Sequence, residues 1–292
     1  MLYDIRLELH YDYEGSVHSD RHLVRVTPRT IPGVQRVIAS ALSFDPRPSL
    51  EVMHTDFFGN TVVTVGYQGY HEHLDVRLSA RVAVDDLHPP ADLSPPLEAI
   101  ARETAAVWSV APDSPHHFLA ASPRIPLDPQ ITEYAGACVA GAPSVRAAAM
   151  ALCLAINHDF AYDHAATKVD TTPLEAFHLK SGVCQDFAHV MIAGLRGIGV
   201  PAGYVSGLIR TIPAPGRTRL EGADAMHAWV RVWCGRHVGW LEFDPTNAMM
   251  AGADHVTIGY GRDYADISPI VGVLRTSGSH ETRQSVDVNL VA

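Results

Sequence analysis

Apolar and polar residues alternate through most of the first third of the chain. Residues 2–10 alternate, and 17–28 continue the pattern through Val24 and Val26 until Pro28 breaks it. Two β-rich runs, 49–55 and 61–67, flank Phe57-Phe58-Gly59-Asn60. Gly-Asn between such runs is a tight hairpin signal. Residues 74–84 alternate again through Leu74, Val76, Leu78, Ala80, Val82 and Val84. Short alternating strands punctuated by turns predict a small all-β sandwich domain over residues 1–86.

The pattern changes after Asp86. Residues 87–96 hold Pro89, Pro90, Pro95 and Pro96, and proline, lacking an N–H, cannot continue a central strand. Prolines recur to Pro129, so 87–130 reads as linker and connecting chain with short helical pieces. A helical pattern then covers 131–158, with an alanine-rich segment of high propensity at 147–156. Thr172-Pro173-Leu174-Glu175 has the residues of a capping box with proline at the first helical position. That short helix ends before Gly182. A further helix begins at or beside Cys184 and runs to about Ile198, where Gly199-Val200-Pro201 stops it. Strands are expected at 202–210, 227–233 and 237–243, a loop at 211–223, and a closing strand at 284–291. Residues 131–292 thus read as an α+β domain.

Composition narrows the function. The chain has 292 residues and a formal net charge of −10, with no Lys/Arg-rich block, which argues against a nucleic-acid partner because phosphates need a basic face. The N-terminus mixes charges with apolar residues, as a strand does and a signal peptide does not. The longest apolar stretch, 147–156, falls short of the roughly 20 residues that span a bilayer. No membrane partner and a cytoplasmic location are expected. The cysteines are Cys138, Cys153, Cys184 and Cys234, and none forms a C-x-x-C pair, so zinc ribbons and redox motifs are disfavoured. Cys138, Cys153 and Cys234 sit in small-residue or apolar contexts and read as packed.

Cys184 differs. It stands at a helix start, where unpaired N–H groups and the helix dipole favour negative charge, and a thiol attacks a carbonyl only as thiolate. Gly182 leaves room for substrate beside it. His227, beginning a strand, is the candidate base that takes the thiol proton and later gives it to a leaving amine. Asp244, ending the next strand before Pro245, is the candidate to orient the imidazole. The Cys184 N–H supplies one oxyanion donor. Gln185 and Asp186 are candidates to support the site or to supply the second. Asp186 is also a favourable charge in the first helical turn. His71-Glu72-His73 and His116-His117 lack an H-E-x-x-H pattern and read as solvent-facing or loop pairs. His189 reads as a core or supporting residue. Trp229, Trp233 and Trp240 read as core or as lining of a substrate groove, with core favoured. No metal or cofactor is expected.

These segments resemble a known family. Gly182-Val183-Cys184-Gln185-Asp186-Phe187-Ala188-His189, Ala225-Met226-His227-Ala228-Trp229-Val230 and Gly239-Trp240-Leu241-Glu242-Phe243-Asp244-Pro245-Thr246-Asn247 resemble the cysteine, histidine and aspartate segments of bacterial transglutaminase-like proteins. The first ninety or so residues, with Asp56-Phe57-Phe58-Gly59-Asn60, resemble the β-sandwich that precedes the catalytic domain in one bacterial subgroup. The resemblance implies a papain-like core of helices on an antiparallel sheet, with Cys184, His227 and Asp244 in the triad roles. It implies a cysteine-dependent amide or peptide hydrolase working through a thioester on a peptide or protein substrate. Protein-glutamine transamidation by the same triad, and a non-catalytic interaction module, are the alternatives. Met226 and Gly203 depart from the family's usual residues. No calcium loop of the D-x-[DN]-x-[DN]-G type is present, so calcium is not expected.

Overall fold

The computed structural model describes residues 1–85, 91–211, 224–275 and 279–291. The first of these segments holds β1 (Leu2–Val24), β2 (Gln35–Asp45), β3 (Leu50–Thr55), β4 (Thr61–Tyr67) and β5 (His71–Val84). Tyr3, Ile5, Leu7 and Leu9 of β1 are buried and alternate with more exposed residues, as a strand with one face on a core requires. The expected turn joins β3 to β4. Gly59 takes φ +80° there, which glycine reaches without a Cβ penalty, and the Asp56 carboxylate accepts the Asn60 N–H at 3.0 Å.

The middle of the chain is helical. α1 (Leu97–Ala105) lies within the stretch read as linker, whose first residues, 87–90, fall outside the described ones together with residue 86. A 3₁₀ turn covers Pro115–Phe118. Two helices, α2 (Pro129–Cys138) and α3 (Val145–Asp159), replace the continuous run expected over 131–158. Pro143 falls in the break, and Ser144 restarts the helix by accepting the Ala147 N–H at 3.1 Å. Next come β6 (Ala161–Tyr162), α4 (Pro173–Leu179), β7 (Ser181–Gly182) and α5 (Cys184–Gly197). α4 has the expected capping box: the Glu175 N–H donates to Thr172 Oγ1 at 3.3 Å, and the Thr172 N–H donates to Glu175 Oε2 at 2.8 Å.

The last part holds β8 (Ala202–Ile209), β9 (Ala225–Trp233), β10 (Trp240–Asp244), β11 (Met249–Met250), β12 (His255–Gly261), α6 (Tyr264–Ile267), β13 (Ile270–Arg275) and β14 (His280–Leu290). The expected loop at 211–223 lies outside the described residues except for Thr211. β12 was not anticipated. It is buried on both faces, so its sequence does not alternate.

β8 to β12 form an antiparallel sheet in the order β11-β10-β9-β8-β12. The first sheet has the order β2-β5-β1-β4-β3, with β13 and β14 also on β1. The first part of β1 pairs with β5 and with β14, Ile5 lying opposite Ala80 and Val288. After an irregularity between Asp12 and Val17, the second part pairs with β4 and β13, Leu23 lying opposite Thr64 and Val271. Strand pairing therefore crosses the division expected at 131–292. The closing strand exists, but it completes the first sheet, because β1 had two open edges that only distant chain could fill. The fold is α+β with a strand-rich N-terminal region, as expected.

The second sheet is the middle layer. One core joins Leu208, Val256 and Ile258 of β8 and β12 to Tyr3, Ile5, Leu7, Val286 and Val288 of the first sheet. The other joins Ala228, Val230 and Val232 of β9 to α3 and α5 through Leu152, Phe187, Met191 and Leu195. Every residue of α5 from Gln185 to Arg196 is buried, the mark of a helix enclosed on all sides. Each fully buried Leu, Ile or Phe contributes about 1.5–3 kcal/mol. That outweighs the cost of about 1 kcal/mol for Gly194 in the helix interior and fixes the helix that carries Cys184. Among the described residues no helix is long and apolar enough to cross a membrane.

Candidate active site

Cys184 is the first residue of α5, with Val183 at the N-cap. Valine has no side-chain acceptor, so the cap comes from within the first turn. The Asp186 carboxylate accepts the Val183 N–H at 2.8 Å and the Thr167 hydroxyl at 2.6 Å. Burial nevertheless pushes the Asp186 carboxyl above its ordinary range, against those hydrogen bonds. Gly182 has a different purpose from the one expected. A Cβ there would lie 2.5 Å from Asp186 Oδ2, so the missing side chain makes room for the carboxylate rather than for substrate. The N–H groups of Asp186 and Phe187 bond back to the Val183 carbonyl. This leaves the Cys184 and Gln185 N–H groups at the helix mouth, beside the thiol.

Gln185 is buried, and its Nε2 donates to the Val169 carbonyl at 3.0 Å. Its side chain ties the loop before α4 to the nucleophile's helix turn. Two phenols flank the thiol. Burial, reinforced by the charge at Cys184, pushes the Tyr162 and Tyr204 hydroxyls above their ordinary range, Tyr204 far above it.

His227 lies on β9 and is 8% exposed. Its Nε2 is 2.7 Å from Asp244 Oδ2, which leaves Nδ1 as the ring nitrogen not held by the carboxylate. Burial disfavours the imidazolium, but hydrogen bonds to Asp244 and to Cys184 outweigh it and raise the His227 pKa to about 10. Asp244, at the end of β10, is fully buried. Its Oδ2 faces His227, His255 Nε2 at 3.0 Å and Asn247 Nδ2 at 2.6 Å. Its Oδ1 accepts the N–H groups of Thr246 at 2.9 Å and Asn247 at 3.1 Å. Burial favours the neutral acid, yet the hydrogen bonds from His227 and His255 hold the carboxyl far below its ordinary range.

His255, the first residue of β12, was missed by the sequence reading. It is 4% exposed. Its Nδ1 accepts the Gly252 N–H at 3.2 Å, so the ring proton sits on Nε2 and points at Asp244. Nothing local singled it out, because it reaches Asp244 only through sheet order. The donor atoms of His227, Asp244 and His255 lie within 4.8 Å of one another. Hydrogen bonding accounts for this closeness, since a protonated Nε2 offers no lone pair to a metal. The Trp229 ring packs against both imidazoles, 5.9 Å from His227 and 5.1 Å from His255 between centroids.

The other candidates fall outside the site. The four cysteines are unbridged. Burial raises the thiols of Cys153 and Cys234 to about 12, and that of Cys138 in the same direction. His189 is buried on α5, its Nε2 accepts the Tyr264 N–H at 3.3 Å, and burial lowers its pKa to about 4, so it is a neutral packing residue. His116 and His117 bond the carbonyls of Val107 and Val110 in the loop region. His71 departs from its solvent-facing expectation: it is buried on β5, with Nε2 3.5 Å from Asp20. Gly203 admits Phe118, whose Cδ1 would be 2.8 Å from a Cβ there.

The site thus sets a cysteine at a helix mouth beside a histidine and an aspartate on neighbouring strands of an α+β fold. Comparison with known proteins names the family. Residues 132–245 match the transglutaminase-like superfamily, and residues 3–83 match the bacterial transglutaminase-like N-terminal region. An uncharacterized protein of Mycobacterium tuberculosis is 32% identical over 98% of this chain and 92% of its own. A protein-glutamine gamma-glutamyltransferase of Pseudomonas aeruginosa is 38% identical over 103 residues, covering 33% of this chain and 15% of its own. The crystal structure of a candidate cysteine protease from Cytophaga hutchinsonii superposes with a TM-score of 0.78 at 18% identity, covering 100% of this chain and 91% of its own. The chain belongs to the transglutaminase-like superfamily and carries the bacterial N-terminal region of that family.

Proposed function

We propose that the protein is a cysteine-dependent amide hydrolase that cleaves a peptide or protein substrate through a thioester. The observation that carries this reading is the orientation of His227: Nε2 is held by Asp244, so Nδ1 serves the thiol. In the first half-reaction the Cys184 thiolate attacks the amide carbonyl carbon, and the C–S bond forms as the carbonyl oxygen takes the negative charge. The Cys184 N–H at the helix mouth donates to that oxygen. Collapse breaks the C–N bond, and the proton on His227 Nδ1 passes to the leaving amine. In the second half-reaction the neutral Nδ1 takes a proton from water, whose oxygen attacks the thioester. The C–S bond breaks, a carboxylic acid leaves, and thiolate and imidazolium are restored. An amine in place of water gives transamidation, and the glutamyltransferase relative supports keeping that reading. Mass spectrometry of products from a peptide pool, with and without an added primary amine, separates the two. Hydrolysis gives Cys184-dependent acids in both samples, and transamidation gives amine adducts. Identical product spectra from Cys184→Ala and the unaltered protein would end the proposal.

A further inference from the structure

Two residues beyond Trp229 on β9 stands Arg231, which is 5% exposed. Its guanidinium lies among aromatic rings, 3.8 Å from the Trp240 centroid, 4.4 Å from Tyr260 and 5.1 Å from Phe118. Such rings offset part of the cost of burying a cation, but a guanidinium presents five N–H donors that need acceptors. Nε of Arg231 is buried without a partner, and among the described residues the side chain forms no ion pair within 4.0 Å. Glu242, its neighbour across the sheet, is engaged elsewhere. Glu242 Oε1 accepts the Tyr260 hydroxyl at 2.8 Å, and Oε2 accepts Trp229 Nε1–H at 2.5 Å.

A second guanidinium stands nearby. Arg29 lies 4.5 Å from the Tyr260 centroid, and one of its terminal nitrogens donates to the Phe58 carbonyl at 3.3 Å and to Asn60 Oδ1 at 3.2 Å. Its Nε is also buried without a partner. Arg29 and Arg231 line one cavity of about 470 Å³ together with Trp240, Tyr260 and Ile31, and two carboxylates, Asp113 and Glu242, also border it. Cys184, His227 and Asp244 do not line it. The Glu242 and Asp113 charges offset part of the charge on Arg231, but a buried guanidinium N–H with no acceptor still costs about 1–3 kcal/mol unless an anion or solvent meets it. Burial already lowers the Arg231 pKa to about 10.

We propose that this cavity binds an organic oxyanion, a carboxylate or phosphate carried on an aromatic or apolar group. Arg231 holds the oxyanion through its planar fork, Arg29 adds positive charge, and the rings and Ile31 receive the apolar part. This site is independent of the thiol chemistry, and its occupant need not be a substrate.

The test is calorimetric titration and thermal shift on the full chain at low ionic strength, with benzoate, phenyl phosphate and, as the neutral isostere, benzamide. At least one anion should bind and raise Tm, with benzamide at least about tenfold weaker. The better anion identifies the source, carboxylate or phosphate. Arg231→Met should lose the anion response, and Arg231→Lys, which keeps the charge but not the fork, should weaken it. Absence of binding by both anions overturns the proposal, as does equal binding of benzamide. A folded Arg231→Met that binds the anion as before overturns it as well. The comparison of anion with benzamide needs no variant, so the proposal stays testable if Arg231→Met does not fold.

Discussion

Replacing Asp244 by asparagine removes the negative charge that holds the His227 proton while keeping the shape of the side chain. The size of the effect follows from the site. The rise of the His227 pKa from 6.5 to about 10 corresponds to about 5 kcal/mol in favour of the imidazolium. Asp244 and Cys184 both produce it against the cost of burial. If they contribute equally, losing the carboxylate removes at least about 2–3 kcal/mol, and the midpoint falls by at least about two pH units. The amide also cannot satisfy the existing partners. Oδ1 accepts two backbone N–H groups, and Oδ2 faces His227, His255 and Asn247. Whichever way the amide turns, its NH₂ meets donors, and a buried donor left unpaired costs about 1–3 kcal/mol. The sign for stability is fixed by the raised pKa: the stabilising contribution of His227 is full below 6.5, its ordinary value, and is lost as pH rises through about 10. The assay is NMR titration of labelled histidine, with thermal melts across the same pH range. The variant should titrate at least about two units lower and lose at least half of the pH-dependent stability. A His227 midpoint unmoved in folded Asp244→Asn refutes the reasoning.

The remaining predictions concern neighbouring groups. Iodoacetamide near neutral pH should label Cys184 first, because burial raises the Cys153 and Cys234 thiols to about 12; peptide mapping that finds either of those labelled first contradicts the site. His255→Phe removes one hydrogen bond to a buried carboxylate and should cost about 1–3 kcal/mol in a denaturant melt. It should also lower kcat/KM by about tenfold while leaving KM nearly unchanged, since the residue acts through Asp244. Gly182→Ala brings a Cβ to 2.5 Å from Asp186 Oδ2 and should destabilise by about 1–3 kcal/mol, read as a lower Tm. The double change Gly182→Ala with Asp186→Gly should cost less than the two single changes together, because the carboxylate and the Asp186 Cβ at 2.9 Å are then both gone.

The parts of the molecule legible in the sequence were those encoded by neighbouring residues. The Gly59-Asn60 turn, the Thr172–Glu175 capping box and the helix opening at Cys184 each rest on contacts within a few positions. The order of Cys184, His227 and Asp244 was readable because each sits at the end of an element whose period is visible. What escaped depends on partners far along the chain. β14 reaches β1 across nearly the whole sequence. His255 meets Asp244 although β12 and β10 are not neighbours in the sheet, a contact no local pattern announces. Arg231 reads as an ordinary polar position of an alternating strand until Trp240 and Tyr260 are seen enclosing it. Gly182 was legible as a glycine with a purpose, but its purpose is set by the carboxylate four residues on, which folds back over it.

In the proposed reaction Cys184 becomes acylated during turnover. This is tested most directly by quenching the reaction of an activated peptide ester in acid and mapping the acyl group by mass spectrometry. An acyl adduct is expected on Cys184, absent from Cys184→Ala and accumulating in His227→Gln if water attack slows more than acylation. Turnover that proceeds with no adduct on Cys184, or that persists in Cys184→Ala, contradicts it.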